Sequence, residues 1–490
     1  MKMKFLIFYI VFFTTASNLF GQYPGNIWYF GENAGLDFTT QPPTILTNGM
    51  VNSIEGSATM SDNEGNLLFY TDGVTVWNKN HQIMENGSDL FGSKTATQTA
   101  VILKQPGDNP FIFIFTVAEY AFANGLCYSI VDISLNNGLG KIIEKNTQLL
   151  TPVAEKITTV KHGNNEDYWV IVHKYNSNAF YSYLFTETGV NSNPVISNTG
   201  ANQQGGTYGY YNSIGYLKPS PNGKKLALAI YEIGWFELFD FDDETGIVVH
   251  QLSFTDYQRA YGVEFSPNSQ LLYLKEVYSG KIFQYNLEAG SPGGILNSKT
   301  LIGTATNTPT PVNYISGGMQ LGKDEKIYVT KYLDNYLGRI ENPDVIGVGC
   351  NFVDDAVYLN GKKGQLGFPY AGESNQIKIY SENFCFGDST SFWIEGLSQI
   401  YVMLWNFGDP ASGAQNTSTL TSPLHKFSSP GTYNVSLTVI SFGNTMSLSK
   451  EIIIHPTPEI TLGNDTLICS NNPLFLSPGA GFQNYLWQDN

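Results

Sequence analysis

The chain has 490 residues and 42% hydrophobic content, enough for one to three domains with cores of their own. Only 14% of its residues are charged, against roughly 25% in ordinary soluble domains, so Asn, Ser, Thr, Gly and Tyr must cover the surface, a habit of extracellular β proteins. A net charge of -16 repels phosphate backbones and anionic membranes, which excludes nucleic acid as a partner class.

In chain order, the first element is a leader. Lys2 and Lys4 precede the apolar run Phe5 to Phe13 and a small polar stretch, the layout of a secretory signal peptide with cleavage expected after Gly21. The run is short against the roughly 20 residues a spanning helix needs. No cysteine follows it, which argues against a lipoprotein anchor, and no later segment is long and apolar enough to span a bilayer.

From residue 22 to 378 there is no helical periodicity. One unit recurs instead: a polar turn rich in Asn, Asp, Gly and Pro, then an apolar aromatic strand. The turn residues Asn26, Asn63, Asp108, Asn165, Asn222, Asn268 and Asp324 mark seven copies at intervals of 37 to 57 residues. Such periods suit four-stranded blades with loop insertions, and a closed ring of blades removes the open edges of a sheet. Strands running from Val131, Tyr183, Phe239 and Tyr285 to Gly138, Gly189, Gly246 and Gly290 read as the hairpins between third and fourth strands. The fold class is therefore all-β, an N-terminal β-propeller of seven blades, with six or eight blades, or two stacked sandwiches, as alternatives. The first copy begins too early to own an inner strand. That strand is expected from Cys350 to Leu359, closing the ring.

Within this region no residue is assigned a catalytic, cofactor or metal role. A G-x-S-x-G elbow is absent. Gly317 to Asp324 fits G-x-x-x-x-G-K but has Asp where a phosphate loop needs Ser or Thr, and it leads into a strand. Asp240 to Gly246 has alternating carboxylates, yet its glycine is one place late and the final Glu is missing, so it reads as a hairpin turn rather than a calcium loop. His162 and His173 flank one strand as hydrogen bonders. A glycosidase needs two facing carboxylates; Asp37, Glu55, Asp72, Glu119 and Glu373 lie beside aromatic or Gly-rich segments, but spacing alone brings no two together. The best recognition loop is Gln203 to Ser213, where Tyr208, Tyr210, Tyr211 and Asn212 combine stacking rings with an adaptable Gly-rich backbone.

Further along, Leu404-Trp-Asn-Phe-Gly-Asp-Pro410 is followed by His425-Lys-Phe-Ser-Ser-Pro-Gly-Thr-Tyr-Asn-Val-Ser-Leu-Thr-Val439. Tyr433, Val435, Leu437 and Val439 alternate with polar residues, the mark of a strand with one buried face. The two segments together resemble the polycystic-kidney-disease (PKD) domain, which implies an immunoglobulin-like sandwich over residues 379–456. Pro410 and the insertion Ala411 to Ser422 depart from its tightest form. Cys127, Cys350, Cys385 and Cys469 are too few for a disulfide scaffold; Val435 stands where an antibody domain has its second cysteine, so Trp405 and Phe407 are expected to carry the core.

The opening strings Trp28 to Phe38, Glu55 to Asp62 and Leu68 to Asn78, with the PKD-like unit, resemble surface proteins exported by the type IX secretion system of Bacteroidetes, often labelled gliding-motility-associated. That resemblance spans about residues 22 to 456 and implies the type IX machinery as a partner if the full-length chain carries a sorting module. Residues 457–490 repeat the cysteine-to-tryptophan spacing, from Cys469 to Trp487, and read as the truncated start of a second sandwich. The expected function is an exported surface recognition or adhesion protein, with a propeller as platform and the PKD unit as spacer, binding an extracellular polysaccharide or surface protein. A carbohydrate-active enzyme and a structural component are the alternatives. Location is the cell surface or medium, or the periplasm if the gene stops at Asn490.

Overall fold

The computed structural model describes residues 25–457 except for the short segments 63–64, 108–109, 165, 308–314, 372–377, 396–401 and 442–443. The leader over 1–21 and the second sandwich, expected from 457 onward, lie outside the described residues. The chain divides into two compact units, Met1–Gln376 and Ile377–Asn490.

The first unit is a ring of seven sheets in chain order, antiparallel except for one pair in the second. Blade 1 is Ile27–Phe30, Ala34–Asp37 and Thr44–Leu46; blade 2 has Ser57–Ser61, Leu67–Thr71 and Val76–Asn78. Blades 3 to 7 open with the inner strands Ala100–Lys104, Val153–Lys161, Leu217–Pro219, Ala260–Phe265 and Ser316–Leu321. Each repeated turn motif runs into a blade's second strand, from Ile27–Phe30 in blade 1 to Ile327–Lys331 in blade 7. The expected hairpins are the third-to-fourth-strand turns, as in Trp235–Phe241 and Val248–Phe254 of blade 5.

Seven buried apolar clusters hold the ring, one at each junction between neighbouring blades. The junction of blades 7 and 1 shows the ring is closed: Trp28, Phe30 and Phe38 pack with Tyr328, Leu337 and Phe368. Each such aromatic side chain, taken out of water, contributes about 1.5–3 kcal/mol. Most of the abundant Phe and Tyr are absorbed here.

Closure is made by a different segment from the one expected. Phe352–Tyr358 is the outermost strand of blade 7, and its half-exposed pattern suits an outer strand, whereas the inner strand Ser57–Ser61 is buried throughout. The closing segment is 363–371. Lys363 O accepts from Glu32 N at 2.9 Å, Leu366 N donates to Ile54 O at 2.8 Å, and Pro369–Ala371 pairs in parallel with Ser57–Ser61. The Tyr370 hydroxyl reaches Thr159 on the inner strand of blade 4. Backbone passes so close that a Cβ on Gly317 would sit 1.9 Å from Leu366 O, and one on Gly367 2.1 Å from Glu55 O. Only glycine fits at either place.

The second unit packs the sheet Lys378–Glu382, Thr390–Glu395, Leu424–His425 against the sheet Thr417–Ser418, Val402–Asn406, Gly431–Ser441, Asn444–Ile454. Trp405, Phe407, Phe392, Val435, Leu437 and Val439 fill its core, as the alternation required. Tyr433 forms a corner, its hydroxyl donating to Ser429 O at 2.8 Å. The motif's Asp409 is buried and accepts from Ser428 N at 2.8 Å and His425 Nε2 at 3.2 Å. Cys127, Cys350 and Cys385 are free thiols. Among the described residues no helix is long and apolar enough to cross a membrane.

Candidate functional site

In a four-stranded antiparallel blade, the loops from second to third strand and the connections to the next blade emerge at one end of the ring. The repeated polar turns occupy the other. At the first end four loops bring rings together. Tyr120 and Phe122 come from the second-to-third-strand loop of blade 3, and Tyr208, Tyr210 and Tyr211 from the connection between blades 4 and 5. Tyr231 and Tyr278 follow the second strands of blades 5 and 6. Tyr120 lies 4.6 Å from Tyr210 and 6.2 Å from Tyr211, and Phe122 lies 6.0 Å from Tyr210. The series continues through Tyr211–Tyr231 at 6.1 Å to Tyr231–Tyr278 at 6.3 Å. This is an aromatic arc.

The backbone is forced to place it. Tyr120, Ala121 and Tyr208 have φ of 53, 56 and 58°, a left-handed conformation that bulky residues rarely adopt and that costs about 1–3 kcal/mol each. The far end of the arc is filled by the protein's own cation: the Arg259 guanidinium sits 5.2 Å above Tyr231 and 5.8 Å from Tyr278 and pairs with Glu232 at 2.7 Å.

Beneath the near end lie carboxylates from the inner strands. Glu155, in Val153–Lys161, is wholly buried; its oxygens accept from Tyr120 N at 2.6 Å, Thr97 N at 3.2 Å and Ser213 Oγ at 3.4 Å. It thereby ties the blade 3 loop and the blade 4–5 connection to the ring's interior. Burial pushes its carboxyl up to about 7 against the pull of those backbone bonds. Glu55, just ahead of Ser57–Ser61, accepts from the Tyr261 hydroxyl at 2.6 Å; burial and then the charge of Glu155 hold it well above the usual carboxylate range. Glu119, half-buried, takes a bond from Ser93 Oγ at 2.8 Å. Lys156, next to Glu155, donates to Gln203 Oε1 at 3.0 Å and Ala229 O at 2.7 Å and is pushed down to about 7 by burial.

Of the residues singled out in the sequence, Tyr208 is 74% exposed and Tyr210 and Tyr211 are half-buried within the arc. Asn212 departs from that expectation. It is buried, its Nδ2 donating to Gln204 O at 2.8 Å and its Oδ1 accepting from Glu232 N and Ile233 N at 3.1 Å, so it clips the loop down and presents nothing to solvent. Of the five acids, Glu55 and Glu119 converge electrostatically on Glu155. Asp37 bonds only its own turn at Thr39, Asp72 pairs with Lys94 at 3.1 Å, and Glu373 lies outside the described residues. Glu155 and Tyr120 are absent from the sequence-based candidates. The signal for Glu155 was the charged pair Glu155-Lys156 inside an inner strand that begins Val153-Ala154 and resumes at Ile157.

Ring and sandwich together define the class: a seven-bladed β-propeller followed by an immunoglobulin-like PKD module. Residues 380–453 match the PKD domain family. Comparison of the sequence with curated proteins finds no match. Among solved structures, the chain is similar to a candidate 6-phosphogluconolactonase from Bacteroides uniformis (12% identity, TM-score 0.38, 81% of this chain and 95% of that one). It is also similar to the extracellular domain of a candidate hybrid two-component system from B. thetaiotaomicron (14%, 0.36, 89% and 56%) and to the Dos1 propeller (13%, 0.40, 77% and 92%).

Proposed function

We propose that this is an extracellular recognition protein whose propeller binds a surface polysaccharide or protein through the aromatic arc, with the PKD module as spacer. The observation that carries this reading is the run of rings held on strained backbone at one end of the ring, since aromatic faces supply large contact area at low entropic cost. A binding role is favoured over turnover because both Glu155 oxygens are occupied by protein donors and the residue is sealed from solvent. A glycan and peptide array probed with the chain tests it: saturable binding that Tyr210→Ala removes is the expected result, and binding indifferent to Tyr210 and Tyr120 overturns the arc as platform.

Export by the type IX route and a part in gliding belong to the same proposal and rest on the resemblance of residues 22–456. Protease shaving of cells with and without that secretion system tests them; equal protection in both overturns the surface location.

A further inference from the structure

We propose that the near end of the arc, Tyr120, Phe122, Tyr208 and Tyr210 above Glu119 and Glu155, binds an organic cation, an alkylammonium or guanidinium group displayed by the partner. This names the chemistry recognised at the site proposed above and rests on that reading.

Three observations converge on it. First, the molecule already uses the same construction internally. At the far end of the arc the guanidinium of Arg259 lies over Tyr231 and Tyr278 with Glu232 as counter-charge, and in blade 6 the Lys299 ammonium lies 4.0 Å from the Tyr257 ring and 4.6 Å from Phe283. Ring faces attract cations through their negative quadrupole, more strongly where water is displaced. Among the described residues no side-chain cation lies over Tyr120, Phe122, Tyr208 or Tyr210. The near end thus has the rings and the acids but, among the described residues, no cation of its own.

Second, acids outnumber the single cation beneath these rings. Glu119 precedes Tyr120, Glu155 bonds the Tyr120 amide, and Glu155 and Glu119 both raise the cost of ionising Glu55. The Tyr120 phenol is held up by burial and then by the charges of Glu155 and Glu55. Lys156 donates to Gln203 and Ala229 and also offsets part of the Glu155 charge. An arriving cation meets the Glu119 carboxylate and favours release of the protons that burial holds on Glu155 and Glu55, in a partly desolvated place where charge interactions are least screened. A neutral sugar would use the rings and leave these acids unanswered; an anion would be repelled by them and by the net charge of -16.

Third, the rings remain reachable. Tyr208 is 74% and Phe122 50% exposed, and they flank the half-buried Tyr120 and Tyr210. Exposed rings at the rim with half-buried rings inside form an aromatic cluster that solvent, and a cation in it, can reach.

The test is calorimetric titration of the full chain with choline, with arginine methyl ester, with the uncharged carbon isostere of choline (3,3-dimethylbutan-1-ol) and with a neutral glucose hexasaccharide. Choline or the arginine ester is expected to bind saturably, the isostere about tenfold more weakly or not at all. Choline alone points to a headgroup-type partner, the arginine ester to a basic peptide. Tyr210→Ala abolishes the binding and Glu119→Gln weakens it; the exposed Phe122→Ala, which leaves the core untouched, serves where Tyr210→Ala fails to fold. Equal binding of choline and its isostere, or no binding of either cation, overturns the inference. Arc-dependent binding of the hexasaccharide alone overturns it while leaving the recognition reading intact. Array ligands that bind independently of Tyr210 overturn the recognition reading itself.

Discussion

Replacing Glu155 by Gln should change how stability responds to pH. The native carboxyl is pushed from 4.5 up to about 7 by burial, a difference corresponding to about 3 kcal/mol. Its folded pKa is raised, so the protonated form's advantage in the native state is fully present below about 4.5 and is lost as the pH rises through 7. Gln has the shape of the protonated acid and does not titrate, but its amide nitrogen cannot accept the N–H bond that one of the two Glu155 oxygens takes. At pH 5 Glu155→Gln should therefore lie about 1–3 kcal/mol below the wild type. By pH 8 it should gain on the wild type by up to about 3 kcal/mol. Neighbouring groups bound that figure. Glu119 raises the Glu155 pKa and Lys156 lowers it, and Lys156, deprived of the Glu155 charge, would titrate lower in the variant. Glu55 and Glu237, the latter also pushed up to about 7 by burial, titrate in both proteins. Differential scanning calorimetry at pH 5, 6, 7 and 8 measures the difference for the propeller transition. Parallel stability curves for the two proteins across that range would refute the idea that Glu155 holds its proton in the folded ring.

In the PKD module, Ser428 N–H and His425 share Asp409 Oδ2 and the Ser428 hydroxyl donates to Oδ1; Asp409→Asn removes the charge behind these bonds and puts an amide nitrogen in place of one acceptor, and should cost about 1–3 kcal/mol, seen as a lower midpoint of the second calorimetric transition alone. Bonds from Ser428 and His425 outweigh burial and hold the Asp409 pKa below its ordinary value, so the stability it supplies is complete above the usual carboxylate range and disappears as the pH falls below it. Tyr370→Phe removes the hydroxyl's bonds to Thr159 and should cost about 1 kcal/mol of propeller stability by urea unfolding, with the PKD transition unchanged. Gly317→Ala drives a methyl into Leu366 O and should lower the propeller's stability by at least about 1–3 kcal/mol; a neutral result would mean that segment 363–368 does not cross there.

The architecture was legible where local chemistry repeats. Asn222, Asn268 and Asp324 each begin a turn followed by a strand whose apolar residues must face a neighbouring blade, and the count of such turns is the count of blades. Trp405, Phe407 and the alternation from Tyr433 to Val439 likewise imposed the sandwich. Ring closure was not legible, because Pro369–Ala371 is three residues long and its partner Ser57–Ser61 is distant in sequence, so neither periodicity nor turn chemistry marks the pairing. The tyrosines of the 203–213 loop stood out by composition. Asn212 looked equally available because Asn is common in exposed loops; only the positions of Glu232 N and Ile233 N show it turned inward. Glu155 escaped notice since a carboxylate in an inner strand is identified by what surrounds it in three dimensions.

The parallel pairing of Pro369–Ala371 with Ser57–Ser61 also sets a timetable. A chain synthesised from its N-terminus delivers blade 2 early and with its innermost edge bare, and nothing can cover that edge until residue 371 has been made. Pairings between segments so far apart in sequence form slowly, since the loop must close before any contact rewards it. The propeller therefore cannot lock while much of it is still to be made. The last piece to arrive lies only a few residues ahead of Ile377, where the second unit starts, so completion of the ring and appearance of the sandwich fall within the same short interval of synthesis.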